Sequence, residues 1–283
     1  MSDGDGFDVL ADETRAGIVR ALAVARRDDP RNPHRSFSEL QDDVGATDSG
    51  RFNYHLGKVR GHFVTQTEDG YTLSAVGQRA AGAILSGSFD DPPEHDPVDL
   101  DEDCGRCGEP VTAQYEDGLL LVGCENDHRF GDSLPPATIE ENTLRESIDV
   151  LDAKMRGDVE LARRGACPTC FGPVAWSFHR DLDPEAPVEQ IYTAECQQCG
   201  QQLGVPPGLV VHDHPALVAA YRDAGVDLRE QLLWTVDCCL PGASELVSED
   251  PVRVAIDAGP HGDQRFVLDA TADVVTAPND ASR

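Results

Sequence analysis

The chain has 283 residues, of which 52 are Asp or Glu and 23 are Lys or Arg, giving a formal net charge of −29. This length predicts about two domains, and a hydrophobic content of 40% suffices for packed cores, which excludes a disordered polyelectrolyte. No run approaches the roughly 18 apolar residues of a membrane span, and no apolar signal sequence opens the chain. We expect a cytoplasmic protein without membrane contact.

The acidic residues are unevenly distributed. Residues 1–88 carry 10 basic and 13 acidic side chains, whereas residues 89–283 carry 13 and 39. Only Lys58 and Lys154 are lysines. This composition resembles that of proteins from extreme halophiles, in which carboxylates keep the surface hydrated while molar salt shortens the Debye length to about 3 Å. The overall charge therefore says little about partners, although DNA contacts need cations locally.

Composition and cysteine positions divide the chain into four regions. Residues 1–88 contain no cysteine, and residues 89–103 are rich in Pro and Asp, as is typical of an acidic linker. Residues 104–165 hold a first cysteine group and a predicted helix. Residues 166–283 hold a second group and a mixed helix and strand segment. Nine cysteines in a cytoplasmic chain favour metal ligation over disulfides.

Residues 1–88 are predicted to form a helix, a helix, a helix, a hairpin and a helix. Asp12 is a candidate N-cap for the first helix. Ser36 to Glu39 fits a capping box that opens the second helix, and Gly45 would end it. The third helix begins at Asp48 or Ser49.

The third helix carries its apolar residues on one face, at Phe52, Leu56, Val59 and Phe63. Asp69-Gly70 then indicates a two-residue turn in a short hairpin over Thr65–Leu73. The last helix of this region is predicted from about Ala75 to Leu85.

The opposite side of the third helix is predicted to be exposed and cationic. Residues 48–62 carry Arg51, Lys58 and Arg60 against Asp48 alone, a net charge of +2 in an acidic protein. We predict that this helix contacts double-stranded DNA in the major groove. The candidate contact residues are Ser49, Arg51, Asn53, Tyr54 and Lys58. Arg51 would read guanine or contact a phosphate, and Lys58 would contact a phosphate.

The region resembles the winged helix-turn-helix of ArsR-type transcription regulators from bacteria and archaea. Four motifs in order carry the resemblance: Asp12-Glu13-Thr14-Arg15, Ser38-Glu39-Leu40, Tyr54-His55-Leu56 and Tyr71 to Gly77. It implies a homodimer on a two-fold operator. Metal-sensing members carry cysteines on the helix before the recognition helix, but Ser38 to Val44 contains none. Their metal switch is therefore not expected, and a protein-interaction role for the winged helix remains the alternative.

The second cysteine group is a strong zinc-ribbon signal. Its candidate ligands are Cys167, Cys170, Cys196 and Cys199, in two Cys-x2-Cys knuckles separated by 25 residues. Strands at Val174–His179 and Gln190–Ala194, joined by a loop at Asp181–Pro187, would bring the knuckles to one end of a hairpin. Four thiolates close a tetrahedral zinc site, so the role would be structural, with free thiols or a redox pair as the alternative.

The first cysteine group is less specific. Its candidate ligands are Cys104, Cys107, Cys124 and His128. Strands at Val111–Tyr115 and Leu119–Gly123 flank a turn signal and would bring the four together, which predicts a Cys3His zinc site. Because Cys-x3-His is a looser spacing than Cys-x2-Cys, the alternative is that His128 is a surface residue beside an incomplete site.

The remaining C-terminal elements are predicted from periodicity. A helix over residues 139–164 would join the two cysteine groups. Helices are predicted at Pro215–Ala224 and Leu228–Trp234, and a hairpin would turn at Ala258–Asp263.

Two further candidates are interpreted as structural. Cys238 and Cys239 are adjacent, which does not suit one tetrahedral ion, so we interpret them as buried residues, with a redox sensor as the alternative. His212 and His214 precede Pro215, which favours a helix start over a metal pair. No nucleotide-binding loop or recognisable nucleophile and base is present, and we expect no enzymatic activity.

Together these patterns predict an α+β chain: an N-terminal winged helix-turn-helix, then two small zinc-ribbon-like hairpins with a connecting helix, and a terminal hairpin. We expect a homodimeric DNA-binding transcription regulator with two structural zinc ions. Its C-terminal half would bind a protein or small-molecule effector. The alternatives are a non-enzymatic adaptor of the transcription machinery and an enzyme with an unrecognised C-terminal site.

Overall fold

The computed structural model describes residues 5–180, 190–240 and 243–278. The chain is α+β and divides into two compact units. Unit 1 comprises Met1–Pro93 and Pro135–Glu141, and unit 2 comprises Glu94–Leu134 and Asn142–Arg283. Within the described ranges, no helix is long and apolar enough to cross a membrane.

Unit 1 consists of short helices and one hairpin. Its elements are α1 (Asp5–Leu10), α2 (Glu13–Asp28), α3 (Phe37–Asp43), α4 (Ser49–Val59), β1 (Val64–Thr67), β2 (Gly70–Leu73), α5 (Ala75–Leu85) and α6 (Pro136–Glu141). The predicted caps are confirmed: Asp12 accepts from the Arg15 N–H, Ser36 forms a capping box, and Asp48 caps α4. Helix α1 was not predicted.

The core of unit 1 lies around α2, which contacts α3, α4, α5 and β2. The predicted face of α4 is buried at Phe52, Leu56 and Val59; Phe63 is also buried, but it lies beyond the end of α4 at Val59, contrary to the prediction. Helix α5 begins next to the turn that follows α4, because the Ser74 N–H donates to the Phe63 carbonyl and the Ser74 hydroxyl donates to the His62 carbonyl. Gly77 then packs so closely there that a Cβ would overlap the Phe63 carbonyl oxygen.

The first sheet of unit 2 has four antiparallel strands in sequence order. They are β3 (Val98–Asp103), β4 (Pro110–Glu116), β5 (Leu119–Cys124) and β6 (Arg129–Ser133). The predicted β4–β5 hairpin is confirmed. The expectation that residues 98–103 belong to a linker was wrong, because they form β3. The Glu102 carboxylate in this strand accepts two hydrogen bonds from the Arg145 guanidinium, at 2.6 and 2.9 Å. The acidic composition of this strand concealed its pairing.

The single helix predicted over residues 139–164 was wrong in one respect. The chain is interrupted after α6, and α7 (Leu144–Arg163) begins anew. Thr143 caps α7 through a capping box with Glu146, which satisfies the N–H groups of a new helix start. Helix α6 belongs to unit 1 and α7 to unit 2.

Two further sheets complete unit 2. One contains β7 (Val174–Arg180), β8 (Gln190–Cys196) and β9 (Gln202–Val205), and the other contains β10 (Ser244–Glu249), β11 (Val252–Ala258), β12 (Gln264–Leu268) and β13 (Val274–Thr276). The predicted terminal hairpin is β11–β12, the centre of a larger sheet. The predicted loop at Asp181–Pro187 lies outside the described residues. Helices α8 (Pro207–Val211) and α9 (Pro215–Asp223) lie between the sheets in sequence.

The helix predicted at Leu228–Trp234 was wrong. The chain there forms turns and a 3-10 turn at Leu233–Thr235. Side chains of α7 bind its backbone instead: Asp152 accepts from the Leu233 N–H at 2.7 Å, and Arg156 donates to the Gln231 carbonyl at 2.5 Å. These long-range partners compete with the i to i+4 bonds that a helix would need.

Two glycines of α5 provide a matched stability test. We expect Gly77→Ala to destabilise unit 1 by about 1–3 kcal/mol or more, because its Cβ overlaps backbone at Phe63. Gly82→Ala has open space and should stabilise the same helix by up to about 1 kcal/mol. Calorimetric unfolding of both variants measures this difference. Equal transition temperatures would contradict the close approach.

Candidate metal centres and nucleic-acid interface

The first cluster joins the turn before β4 to the end of β5. Its ligand atoms are those predicted, from Cys104, Cys107, Cys124 and His128, and all lie within 4.8 Å of one another. The Cys104 sulfur is 3.4 Å from His128 Nδ1, and the Cys107 and Cys124 sulfurs are 3.7 Å apart. His128 is therefore part of the cluster, and the site has four candidate ligands.

The second cluster joins the knuckles before β7 and after β8. The sulfurs of Cys167, Cys170, Cys196 and Cys199 also lie within 4.8 Å of one another. The Cys167–Cys199 and Cys170–Cys196 sulfur pairs are 3.8 and 3.5 Å apart. A disulfide would require about 2.05 Å, and all nine cysteines are free thiols. Both clusters can thus hold a metal ion.

Hydrogen bonds lower the pKa of Cys107 and Cys196, whereas burial raises the pKa of Cys104, and neighbouring sulfurs, against the Gly172 N–H, raise the pKa of Cys170 to about 12. The backbone N–H groups of Cys199 and Gln198 donate to the Cys196 sulfur and lower the pKa of Cys196 to about 6. In the first cluster the Asn126 amide donates to the Cys107 sulfur at 3.5 Å and lowers the pKa of Cys107 to about 6. Thiolates are the metal-binding form, so these donors favour coordination.

Two residues at the clusters were missed in the sequence. Asn126 is one, since an amide between Cys124 and His128 carries no motif. Phe171 is the other: it follows Cys170 with φ of +60° and is 60% exposed. The equivalent residues of the other two knuckles are Gly108 and Gly200, both with φ of +75°. Since the left-handed conformation costs a non-glycine residue about 1–2 kcal/mol, the aromatic side chain is conspicuous there.

The exposed face of α4 contains all five predicted contact residues. Ser49, Arg51, Asn53, Tyr54 and Lys58 are exposed. The Lys58 ammonium lies 5.3 Å from the centre of the Tyr54 ring, and the Ser49 hydroxyl donates to the side chain of Gln41 on α3 at 3.0 Å. The structure thus brings Arg51, Tyr54 and Lys58 onto one accessible surface.

The hairpin beside α4 is not cationic. Residues 64–73 contain no Lys or Arg, and the exposed tip consists of Glu68 and Asp69. Arg60 donates to Gln66 on β1 at 2.9 Å and so lies between helix and hairpin. His55, the remaining polar residue of the motif, is buried with Nδ1 3.2 Å from the Asp12 carboxylate. It is therefore a packing residue.

The other histidine and cysteine candidates do not join a metal cluster among the described residues. His214 caps α9 by accepting from the Ala216 N–H, which confirms the predicted helix start. Buried His212 makes a 2.7 Å hydrogen bond with the Leu209 carbonyl. Cys238 is buried, as predicted, with its sulfur 3.9 Å from the Gly208 carbonyl oxygen, whereas Cys239, also predicted to be buried, is only partly buried.

Comparison with known sequences places the larger part of the chain in one family. Residues 101–274 match the family described as domain of unknown function DUF7351, and the chain belongs to that family. Residues 4–84 are similar to a second family, domain of unknown function DUF7347. No curated protein and no solved structure is significantly similar to the chain.

Metal content tests the two clusters separately. We expect two metal ions per chain, because each cluster brings four ligand atoms together. Cys124→Ser and Cys196→Ser should each lose one ion, and the double variant should lose both. Cys239→Ser, outside both clusters, is the control and should retain two. Native mass spectrometry gives the count, and two ions in either single cluster variant would contradict that assignment.

Proposed function

We propose that the chain is a DNA-binding transcription regulator whose unit 1 is a winged helix-turn-helix of the ArsR type. Helix α3, a turn, α4, the β1–β2 hairpin and α5 follow in the order that this class of DNA-binding domain requires. The observation that carries the proposal is the exposed cationic face of α4 in a chain with net charge −29.

The residues of α4 divide by position. At about 100° per residue, Arg51, Tyr54 and Lys58 fall within an arc of about 60°. Arg51 and Tyr54 are positioned for base edges, and Lys58 for a phosphate. Asn53 lies about 160° from Arg51, at the other margin of the exposed face, so we assign it a backbone contact. Ser49 lies in the first turn, where phosphates approach a helix N-terminus.

The acidic hairpin tip restricts how DNA is bound. Phosphates repel Glu68 and Asp69, so the hairpin contributes no electrostatic attraction at its tip. Binding then depends on α4 and on the cations next to it, of which Arg60 is one. The same tip is the specific observation that favours the alternative function, a non-enzymatic adaptor whose unit 1 binds protein. An adaptor would protect no operator in footprinting.

We propose zinc as the metal of both clusters, with a structural role. Zinc–sulfur bonds of about 2.3 Å in a tetrahedron place sulfurs about 3.8 Å apart, and a nitrogen ligand about 3.6 Å from a sulfur. Three of the sulfur pairs are 3.5–3.8 Å apart and two sulfurs lie 3.4–3.5 Å from the His128 nitrogen, while all ligand atoms of each cluster lie within 4.8 Å of one another. Four protein ligands leave no position for a substrate. Helix α3 has no cysteine for metal sensing.

We further propose that the regulator acts as a homodimer and that unit 2 binds an effector. Two copies of α4 would enter half-sites about 34–36 Å apart on a two-fold operator. A candidate effector site in unit 2 is a largely apolar cavity of about 120 Å³ beside the first cluster, bordered by Phe130, Trp234 and Leu240 and by the candidate ligands Cys104 and His128. The Trp234 indole N–H is buried, with no partner among the described residues. A cavity near 150 Å³ admits a benzene-sized molecule.

The assignment of α4 as the DNA-contacting helix can be tested by removing its cations. Arg51→Ala/Lys58→Ala should weaken binding at least about 100-fold, because it removes one base contact and one phosphate contact. Arg26→Ala/Arg27→Ala removes the same charge from exposed positions on α2 and is the matched control. Fluorescence anisotropy in molar KCl, on a duplex selected by the wild-type protein from random sequences, measures both. Unchanged binding by the α4 variant would refute the recognition-helix assignment.

The repulsion between DNA and the acidic hairpin tip can be tested by neutralising the tip. Glu68→Gln/Asp69→Asn should raise affinity for the same duplex several-fold, more strongly at lower salt, since it removes repulsion of nearby phosphates. Asp8→Asn/Glu13→Gln neutralises two exposed carboxylates elsewhere in unit 1 and should change affinity less. The same increase in both variants would mean that only the total charge matters, and that the tip does not approach DNA.

A further inference from the structure

Unit 1 contains an apolar groove that is separate from the predicted DNA-contacting residues. Its volume is about 670 Å³, within the range of about 300–1,000 Å³ that is typical of small-molecule sites. Helices α1, α2 and α5 and the turn after α4 form its walls, which include the apolar side chains of Phe7, Leu10, Phe63, Val76 and Ile84. None of the five candidate contact residues of α4 borders it. A groove of this size can hold one small molecule with a hydrocarbon body.

Two aromatic rings at the border of the groove pack against each other. Phe7 of α1 and Phe89, which follows α5, meet edge to face with their ring centroids 6.5 Å apart. They are nevertheless 75% and 70% exposed, more than any other large hydrophobic side chain within the described ranges. Their contact with each other leaves most of both rings in water, where they remain available to an apolar ligand.

The groove has few polar groups, and two of them are hydrogen-bond donors without a partner. Arg20 on α2 is the only formally cationic residue at its border, and its guanidinium forms no ion pair or hydrogen bond with the described residues. His62, in the turn after α4, packs its ring on Phe63 at 4.6 Å, and its Nε2 lies 3.9 Å from the position that a Cβ on Gly6 would take. The His62 ring also has no hydrogen bond among the residues that the structure describes.

The acidic and the cationic residue at the border lie in different walls. Asp90 is the one acid there, and it belongs to the turn after α5, with a carboxylate oxygen 3.4 Å from the position of a Cβ on Gly87. Arg20 lies on α2. A carboxylate fits a guanidinium through two parallel hydrogen bonds, whereas an ammonium would be repelled by it. The free cation therefore favours a ligand with one negative charge.

We propose that this groove binds a small molecule that combines a hydrocarbon body with one carboxylate. The apolar walls take up the body, and the Arg20 guanidinium donates to the carboxylate, with His62 as a further donor. A second copy of this chain is the other occupant that an apolar groove would accept. Two unpartnered donors in an otherwise apolar groove favour the small carboxylate over it. The proposal requires neither DNA binding nor the cavity of unit 2.

Calorimetric titration of the full, metal-loaded chain with octanoate in molar KCl tests the ligand class. We expect octanoate to bind more tightly than octanol or octylamine, which have the same hydrocarbon body but no negative charge. Arg20→Gln should weaken octanoate binding at least about 10-fold and leave octanol binding within about two-fold, because only the carboxylate loses its partner. Arg26→Gln removes the same charge from an exposed position of α2 outside the groove and should bind octanoate like the wild type.

A second pair of variants tests the place of binding. Ala83→Leu keeps a good helix former on α5 but puts its side chain into the groove, and should weaken binding of octanoate and octanol at least about 10-fold. Gly82→Leu adds the same side chain at the next position, where a Cβ meets open space, and should bind both like the wild type.

Three results would overturn the proposal: no octanoate binding at millimolar concentration, octanol or octylamine binding as tightly as octanoate, and Arg20→Gln binding octanoate like Arg26→Gln. The Arg20 result stands even if Ala83→Leu fails to fold, because Arg20 is exposed. Sedimentation equilibrium without ligand examines the other occupant. A wild-type oligomer that Ala83→Leu dissociates and Gly82→Leu does not would assign the groove to a second copy of the chain and so refute the proposal.

Discussion

The hydrogen bonds accepted by the carboxylate of Asp152, on α7, are the interactions around which unit 2 is organised. Asp152 is 6% exposed and accepts hydrogen bonds from the Leu233 N–H at 2.7 Å and from the Arg156 guanidinium at 2.6 Å. Arg156 also donates to the Gln231 carbonyl. A buried carboxylate without partners costs several kcal/mol, so these partners fix the connecting segment against α7. That segment leads directly to Cys238, whose carbonyl packs on Gly208 so closely that no Cβ fits.

The same helix is tied to both metal clusters. Near its start, Arg145 binds Glu102, in the strand that leads into the first cluster. Near its end, the Ala162 carbonyl accepts a hydrogen bond at 3.1 Å from the indole N–H of Trp176, which lies in β7, the strand that follows Cys170 of the second cluster. Three small sheets bury little apolar surface individually, and small structures of this kind need metals or a shared support. Helix α7 supplies the support, and the clusters close the ends of the hairpins.

Local chemistry made part of this arrangement predictable. Ser36 with Glu39 formed the expected capping box, and each Cys-x2-Cys knuckle joined the expected cluster, because each of these signals acts within a few residues. The errors share a different cause. Strand β3 depends on pairing with β4 and on Arg145, and the helix expected near Leu233 was replaced by bonds to Asp152, 81 residues away. Periodicity reports which face is apolar, but not which distant side chain will compete for the backbone.

In a chain with a net charge of −29, the regions with few acidic residues are the most informative. Acid is absent from α4 itself and sparse near the second cluster, where Glu195 precedes Cys196, yet the two regions differ in kind. On α4 the exposed cations Arg51 and Lys58 form no ion pair among the described side chains, which suits a polyanion. Beside the second cluster Arg163 and Arg164 are each paired with a carboxylate, and an aromatic ring is exposed instead. A neutral, aromatic surface offers phosphates little attraction, so the DNA contact that we propose lies on α4 and not beside the second cluster.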